Sequence, residues 1–254
     1  VLKRMDVTMP FYFEKEKVEN VISEPMGSSV QVRGRNYTSD GIKEPSASSL
    51  FSVIGVDNLT RSKHQSARST LHTSQYEHSY VNRLRRVCQK QNIQTPFLLV
   101  INFNVPWGNL ITYMYRHNST NGGPFNHENT DDPAEKLWTQ FLTEYDHHTR
   151  NDKLKLIPHI QNGPWLIKKI VGSHPAIVGH KLPVYYYGSH QDNYLEIALD
   201  ISQGSAMVHK ITSAVAGRAR DVSVDLAFVV QGEYPEELPE RILGAYRFHH
   251  VNVQ

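Results

Sequence analysis

Cysteine occurs once in the 254 residues, at Cys88, so no internal disulfide can form and a reducing compartment is expected. No stretch approaches the roughly 18 consecutive apolar residues of a membrane-spanning helix. The chain opens Val1-Leu2-Lys3-Arg4 and runs on into polar sequence, which does not read as a signal peptide. Its first residue is not methionine, which points to an excised domain or a processed chain. An excess of one charge is also missing. With 27 basic and 25 acidic residues the net charge is +2, no basis for binding a polyanion through the whole surface, and no nucleic acid is expected as a partner. There is no GxSxG, no Walker loop and no GxGxxG after a strand, which leaves the common hydrolase, nucleotide and dinucleotide readings without support. Histidines pair at 72 and 78, 147 and 148, and 249 and 250. Those spacings match neither HExxH nor the Cys-His zinc patterns, so no metal and no cofactor is expected. Sequons at Asn36, Asn58 and Asn118 would suit a secreted chain, but such triplets arise by chance where Asn, Ser and Thr abound.

What is present is alternation of period two. From Tyr194 to Ile201, Leu195, Ile197, Leu199 and Ile201 share one side, and Tyr194, Glu196, Ala198 and Asp200 share the other, the pattern of a strand with one buried face. Upstream, Leu154, Leu156 and Ile160 alternate, Asn162-Gly163 offers a tight turn, and Trp165, Ile167 and Val171 read as the returning strand. Gly172 and Pro175 break that run, and Leu182 to Tyr187 starts another. The stretch from 153 to 201 is therefore expected to be a four-stranded antiparallel meander. Further strands are expected over Val30–Tyr37, Leu50–Val56, Val222–Val230 and Ile242–Val253. Phe97–Asn104 and Leu110–Tyr115 should form a hairpin over Pro106-Trp107-Gly108-Asn109.

Helical spacing recurs three times. Tyr76, Tyr80, Leu84, Val87 and Cys88 precede the break at Pro96. Asp132-Pro133 suits an N-cap followed by proline at the first helical position, ahead of Leu137, Trp138, Phe141 and Leu142. A third helix runs from Ser202 to Gly217 with Met207, Ile211, Ala214 and Val215 on its apolar face. Residues 1–28 lack sustained periodicity and read as an extended arm, and 60–74 and 118–131 as loops. With no repeat and no linker, residues 29–254 form one α+β domain: a large curved, mostly antiparallel sheet of eight or more strands with about three helices.

Few residues stand out chemically. Glu196, Asp200 and Asp225 lie on the polar sides of two strands, where paired carboxylates can do acid–base work or hold a cation. Their ordinary reading is the solvated face of a sheet. Cys88, on the apolar side of its helix, reads as a buried structural thiol. Arg33, Arg35, Lys43, Lys168, Lys169 and Lys181 could gather around an anionic head group, beside interfacial aromatics from Tyr185-Tyr186-Tyr187, Trp107 and Trp165; scattered surface lysines are the plain alternative. The candidate ligand-binding set is Arg33, Arg35, Lys43, Trp165, Lys168, Lys181, Tyr185 and Tyr187.

Several short blocks fall in one order along the chain: Val30-Gln31-Val32-Arg33-Gly34-Arg35-Asn36-Tyr37 with Asp40 and Lys43, then Lys155-Leu156-Ile157-Pro158, Gly163-x-Trp165, Val171-Gly172, Pro175 and Gly179. Tyr194-Leu195-Glu196-Ile197 with Asp200-Ile201 follows, then Val224-Asp225-Leu226, Leu238-Pro239-Glu240, Ile242-Leu243-Gly244 and Arg247. The ordered set resembles the C-terminal domain of the plant "enhanced disease resistance" lipid-regulator family, from about residue 11 to the end. In the plant members that domain follows a pleckstrin-homology domain and a START domain, and the proteins sit at endomembranes and restrain defence signalling. Neither upstream domain is visible in these residues, and the family supplies no catalytic residues to carry over.

The resemblance implies a helix-grip, START-like fold and a non-enzymatic domain that binds a lipid or an anionic membrane surface, inside the cell, cytoplasmic or peripheral at an endomembrane. The alternative is a scaffold or accessory subunit of a larger protein assembly, and a hydrolase using Asp200, Asp225 or a histidine is least expected. A curved sheet gripping a helix can leave an apolar hollow. The small residues of the Ser202–Gly217 helix suit either close packing or spare room, and close packing is the ordinary expectation.

Overall fold

The computed structural model describes residues 21–60, 72–73, 77–116, 123–125, 131–172 and 174–251. The expected loops at 60–74 and 118–131, Tyr76 and residues 1–20 of the expected arm therefore lie wholly or largely outside the described residues. In chain order, strands β1 (Val21–Ser23) and β2 (Gln31–Arg33) precede the one-turn helix α1 (Tyr37–Asp40), strand β3 (Lys43–Pro45), strand β4 (Ser52–Thr60) and helix α2 (Tyr80–Lys90). Strands β5 (Leu98–Val105) and β6 (Gly108–Tyr115) lead to helices α3 (Pro133–Thr143) and α4 (His147–Lys153) and strand β7 (Leu154–Asn162). Helix α5 (Trp165–Val171), strands β8 (Ala176–Ile177), β9 (Val184–Tyr187) and β10 (Tyr194–Asp200), helix α6 (Ala206–Ala216) and strands β11 (Ser223–Val230) and β12 (Ile242–His249) complete the chain.

The three helices expected from spacing are the three longest, α2, α3 and α6, and side-chain caps start each one. Ser79 accepts from the backbone of Asn82, Asp132 from Ala134 with Pro133 following, and Ser205 from Val208. The β5–β6 hairpin forms as its sequence predicts, with Val105 opposite Gly108.

The strands divide into two five-stranded sheets, ordered β1-β12-β11-β7-β8 and β4-β6-β5-β10-β9, and a β2-β3 ribbon. Every pairing is antiparallel except β5 with β10. The result is a single α+β domain of curved, largely antiparallel sheets without a closed barrel, consistent with a START-like arrangement. The sheets face one another. Leu99, Ile101, Leu195 and Ile197 of one meet Phe228, Leu243, Tyr246 and Phe248 of the other in the main core. Period-two alternation places each strand's other side chains on the outer faces, and those are covered too. Val81 of α2 packs on Leu98, Val100 and Tyr194, while Val30 and Val32 beside and within the ribbon pack on Ala227, Val229, Ile242 and Ala245.

Three expectations are corrected by the structure. The stretch from 153 to 201 is not a meander. β7 pairs with β11 and β8, whereas β10 pairs with β5 and β9, so its strands belong to different sheets and their main partners lie far away in sequence. Trp165 to Val171 is a helix, not a returning strand: Gly163 adopts φ 151° and ends β7, and Ile167 and Val171 share a helical face at a spacing of four. Glu196, Asp200 and Asp225 are not a solvated face either, being 0%, 0% and 3% exposed. Their sheets are covered on both sides, so each carboxylate needs partners.

Those partners are specific. Arg247 grips Asp225 across β11–β12 with two bonds, Nε to Oδ1 at 2.5 Å and Nη2 to Oδ2 at 2.8 Å, where the two residues stand directly opposite. Glu240 accepts four hydrogen bonds from three groups: the Lys155 ammonium on both oxygens at 2.5 and 2.6 Å, the Arg33 backbone N–H at 3.0 Å and the Gly232 N–H at 3.1 Å. Burial pushes the Lys155 ammonium below its ordinary range and Glu240 opposes that shift.

Removing one member of such a pair strands a charge in the interior. Glu240→Ala should lower unfolding stability by about 3–5 kcal/mol in urea denaturation, and Lys155→Met added to it should restore part of the loss. A second expectation concerns pH. His249 bonds the Ser23 hydroxyl at 2.8 Å, tying β1 to β12. Burial first, then Arg247 and His250, hold its imidazole below the ordinary value, with Asp225 opposing. The unfolded chain therefore takes up this proton at a higher pH than the folded one. The stability contribution is complete above the unfolded value of about 6.5 and falls as the solution is acidified through it. The urea midpoint should drop on acidification through that window, and His249→Gln should flatten part of the drop, His72 being shifted in the same direction by burial.

Candidate functional site

At one end of the sandwich the facing sheets are filled by aromatic rings. Trp138 and Phe141 of α3 stack near Phe97 and Phe51, with Trp138 meeting Phe51 edge-on at 5.0 Å. At the other end no ring of α3 enters, and a cavity of about 460 Å³ remains. Its floor and walls are inward-facing strand residues: Phe103 and Val105 from β5, Leu110 from β6, Leu199 at the end of β10. The opposite sheet supplies Leu156 and Pro158 from β7, Val224 and Leu226 from β11, and Phe248 from β12.

Helix α6 is the roof. Val208, Ile211, Thr212 and Val215 recur at three and four and look into the hollow. Not one residue of α6 is fully buried, as follows for a helix whose apolar stripe faces space. Close packing of this helix, the ordinary expectation, is thereby corrected. Its C-terminal half is held by α5, where Ile167 and Val171 meet Ala214 and Val215 over Ile160 and Val222. At its N-terminal half His209 reaches the carbonyl of Ile201 at 3.0 Å.

Four lining residues are exposed and mark where the cavity meets solvent: His174, Lys181, Ser205 and Met207. They come from the segment after α5, the turn before β9 and the start of α6. Lys181 closes the short 3-10 turn Val178–His180 through its backbone N–H. Its ammonium forms no ion pair among the described residues. Thr212 gives its hydroxyl to the Val208 carbonyl at 2.9 Å, so the interior wall presents almost pure hydrocarbon. Among the described residues no carboxylate and no thiol lines it. Chemically this is a shelter for an apolar group with the Lys181 side chain at its rim.

The buried acids point elsewhere. Glu196 accepts from the Thr73 N–H and hydroxyl at 2.8 and 2.5 Å and from the Asn102 amide at 2.7 Å, while Asn109 supports Asn102 at 3.0 Å. Asp200 accepts from Asn104, Ser202 and Gln203 at 2.7, 2.5 and 2.5 Å. Both lie on the outer side of β10, away from the cavity, and are saturated by neutral donors.

The eight residues proposed from sequence fall in separate places. Arg33 and Lys43 face each other across the ribbon with Arg35 exposed just beyond. Arg33 is already engaged, donating to the Gly232 carbonyl at 2.6 Å and lying 5.0 Å from the Tyr37 ring. Trp165 and Lys168 sit on α5, and Lys168 reaches the Gln161 carbonyl at 3.3 Å. Tyr185 and Tyr187 are half-buried on the edge strand β9, where Tyr187 meets the His72 ring at 4.4 Å. Of the eight, Lys181 alone lines the cavity. The apolar lining was missed because a residue facing a hollow and one facing a packed neighbour have the same sequence pattern. The stripe at 208, 211, 212 and 215 was the available signal.

The sequence profile of the family described as Protein ENHANCED DISEASE RESISTANCE 2, C-terminal, matches residues 23–252. A curated relative from Arabidopsis thaliana, "Protein ENHANCED DISEASE RESISTANCE 2-like", is 29% identical over 230 residues, which is 89% of this chain and 28% of the relative. The chain thus spans little more than a quarter of that protein's length. No solved structure matches.

If α6 roofs real space, enlarging its inner stripe should be tolerated. Ile211→Trp is expected to leave the thermal midpoint unchanged or raised, where forcing the same bulk into a filled interior would cost about 1–3 kcal/mol.

Proposed function

The chain belongs to the Protein ENHANCED DISEASE RESISTANCE 2 C-terminal family, and from that premise we propose that it is a non-enzymatic lipid-binding domain that shelters an apolar ligand in the cavity under α6 and works against a membrane surface. The cavity carries this reading. Its size lies within the range of small-molecule sites, roughly 300–1,000 Å³, and its lining is hydrocarbon with a few polar groups at the rim.

The membrane part rests on α5. Trp165 and Leu166 are 72% and 57% exposed, and Lys168 and Lys169 follow within one turn, the Lys169 ammonium lying 5.2 Å from the Trp165 ring. Exposed indole beside lysine is the combination that settles at a lipid–water boundary. Among the described residues no helix is long and apolar enough to cross a bilayer, so contact of this kind would be peripheral. The potential acid–base groups Glu196, Asp200 and Asp225 are committed to buried networks outside the cavity, which favours binding over turnover.

Native mass spectrometry of the purified protein should reveal a co-purifying hydrophobic adduct, reduced in Ile211→Trp. Flotation with anionic vesicles should retain the protein, and Trp165→Ala with Leu166→Ser should weaken retention several-fold. A protein that carries no adduct, takes none from vesicles and does not float would refute the proposal.

A further inference from the structure

The lipid-binding reading leaves the ligand unnamed, and the inference drawn here rests on that reading. Two properties of the cavity restrict the ligand. The first is volume. At ~30 Å³ for each small non-hydrogen unit in a liquid, about 460 Å³ holds roughly fifteen such units, one acyl chain of medium length. The two chains of a diacyl lipid need about twice that. The second is the rim. Thr212 spends its hydroxyl on α6's own backbone, so the interior offers nothing to recognise a polar head, and any head must remain at the mouth. There Lys181 is a cation without an ionic partner among the described residues, the His174 ring stands beside the same opening, and Ser205 and Met207 form the facing lip. Among the described residues no acid lines the cavity to offset that charge.

We propose that the ligand is a single-chain amphiphile with an anionic head, the chain lying beneath α6 against Leu199, Leu226 and Ile211 and the head meeting the Lys181 ammonium at the mouth. A fatty carboxylate and a monoacyl phosphate share this chemistry. The chain gains from leaving water along its whole length. The head keeps its hydration on one side and gains a charge-assisted bond on the other. A neutral single chain lacks the second contribution, and a zwitterionic diacyl lipid exceeds the volume.

The test is titration of the full chain, followed by native mass spectrometry and calorimetry, with four probes: myristate, tetradecyl phosphate, the neutral analogue tetradecanol, and a diacyl phosphatidylcholine. Myristate and tetradecyl phosphate should bind about tenfold more tightly than tetradecanol, the effect of one hydrogen bond to a charged group, and the advantage should shrink in high salt. The two anionic probes separate a carboxylate source from a phosphate source. Lys181→Glu should abolish the advantage while leaving tetradecanol affinity unchanged, which also shows that the variant is folded. Lys90→Glu, on α2 and outside the lining, should leave the advantage intact. Equal binding of charged and neutral chains, an advantage that survives Lys181→Glu, or tighter binding of the diacyl lipid would overturn the inference while leaving the cavity as a lipid site. Failure of every probe, tetradecanol included, would remove the lipid-binding reading itself.

Discussion

Two sheets with largely apolar inner faces must keep water out along their full length, and the aromatic filling reaches only one end. This mismatch governs the molecule. Where α3 inserts Trp138 and Phe141, the sheets close on a dense aromatic layer. Where it does not, the same alternating strands continue and their side chains meet a hollow. A helix laid over that end must be amphipathic to shield it, yet it cannot bury its stripe, because nothing rises to meet it. Helix α6 has that character: an apolar row, no fully buried residue and anchorage at its two ends.

The outer faces impose the complementary constraint. With α2 over one sheet and the β2–β3 ribbon over the other, polar residues that alternation would send to solvent are enclosed. Each then has to be paired, and the pairings fix geometry. Arg247 opposite Asp225 locks the register of β11 and β12, since a slip of one residue would leave the Asp225 carboxylate buried without its cation. Glu240 joins three separate segments by accepting from Lys155, Arg33 and Gly232. Several residues of the blocks that carried the family resemblance are thus structural, with Glu196, Asp225, Glu240 and Arg247 building the fold, while Leu156, Pro158, Val171, Ile201, Val224 and Leu226 of those same blocks line the cavity.

That division explains what could be read from the chain alone. The three long helices, the β5–β6 hairpin and the α+β class were legible, because capping residues, turn residues and local period determine them. The pairing of β7 with β11, more than sixty residues later in sequence, was not, since alternation gives a strand's faces and never its neighbour. α5 was misread because Trp165, Ile167 and Val171 satisfy period two in part, while the exposure that distinguishes a helix belongs to the folded context. The acids were misplaced for a related reason: alternation indicates that Glu196 and Leu195 face opposite ways, but not that both sides are covered. The cavity was least legible, since an absence of neighbours leaves no residue to mark it.

The hollow, the Lys181 side chain at its mouth, without an ion pair among the described residues, and the exposed indole on α5 become coherent when considered together. Helix α5 both clamps the C-terminal half of α6 through Ile167 and Val171 and presents Trp165 and Leu166 outward. Whatever engages the outer side of α5 therefore acts on the element that holds the roof. On the reading proposed above, occupancy of the cavity would act on the same roof from inside, by adding contacts to Val208 and Ile211, and any coupling between the two ligands would be reciprocal. Physical economy thus links the empty end of the sandwich to the apolar side chains left in water beside it.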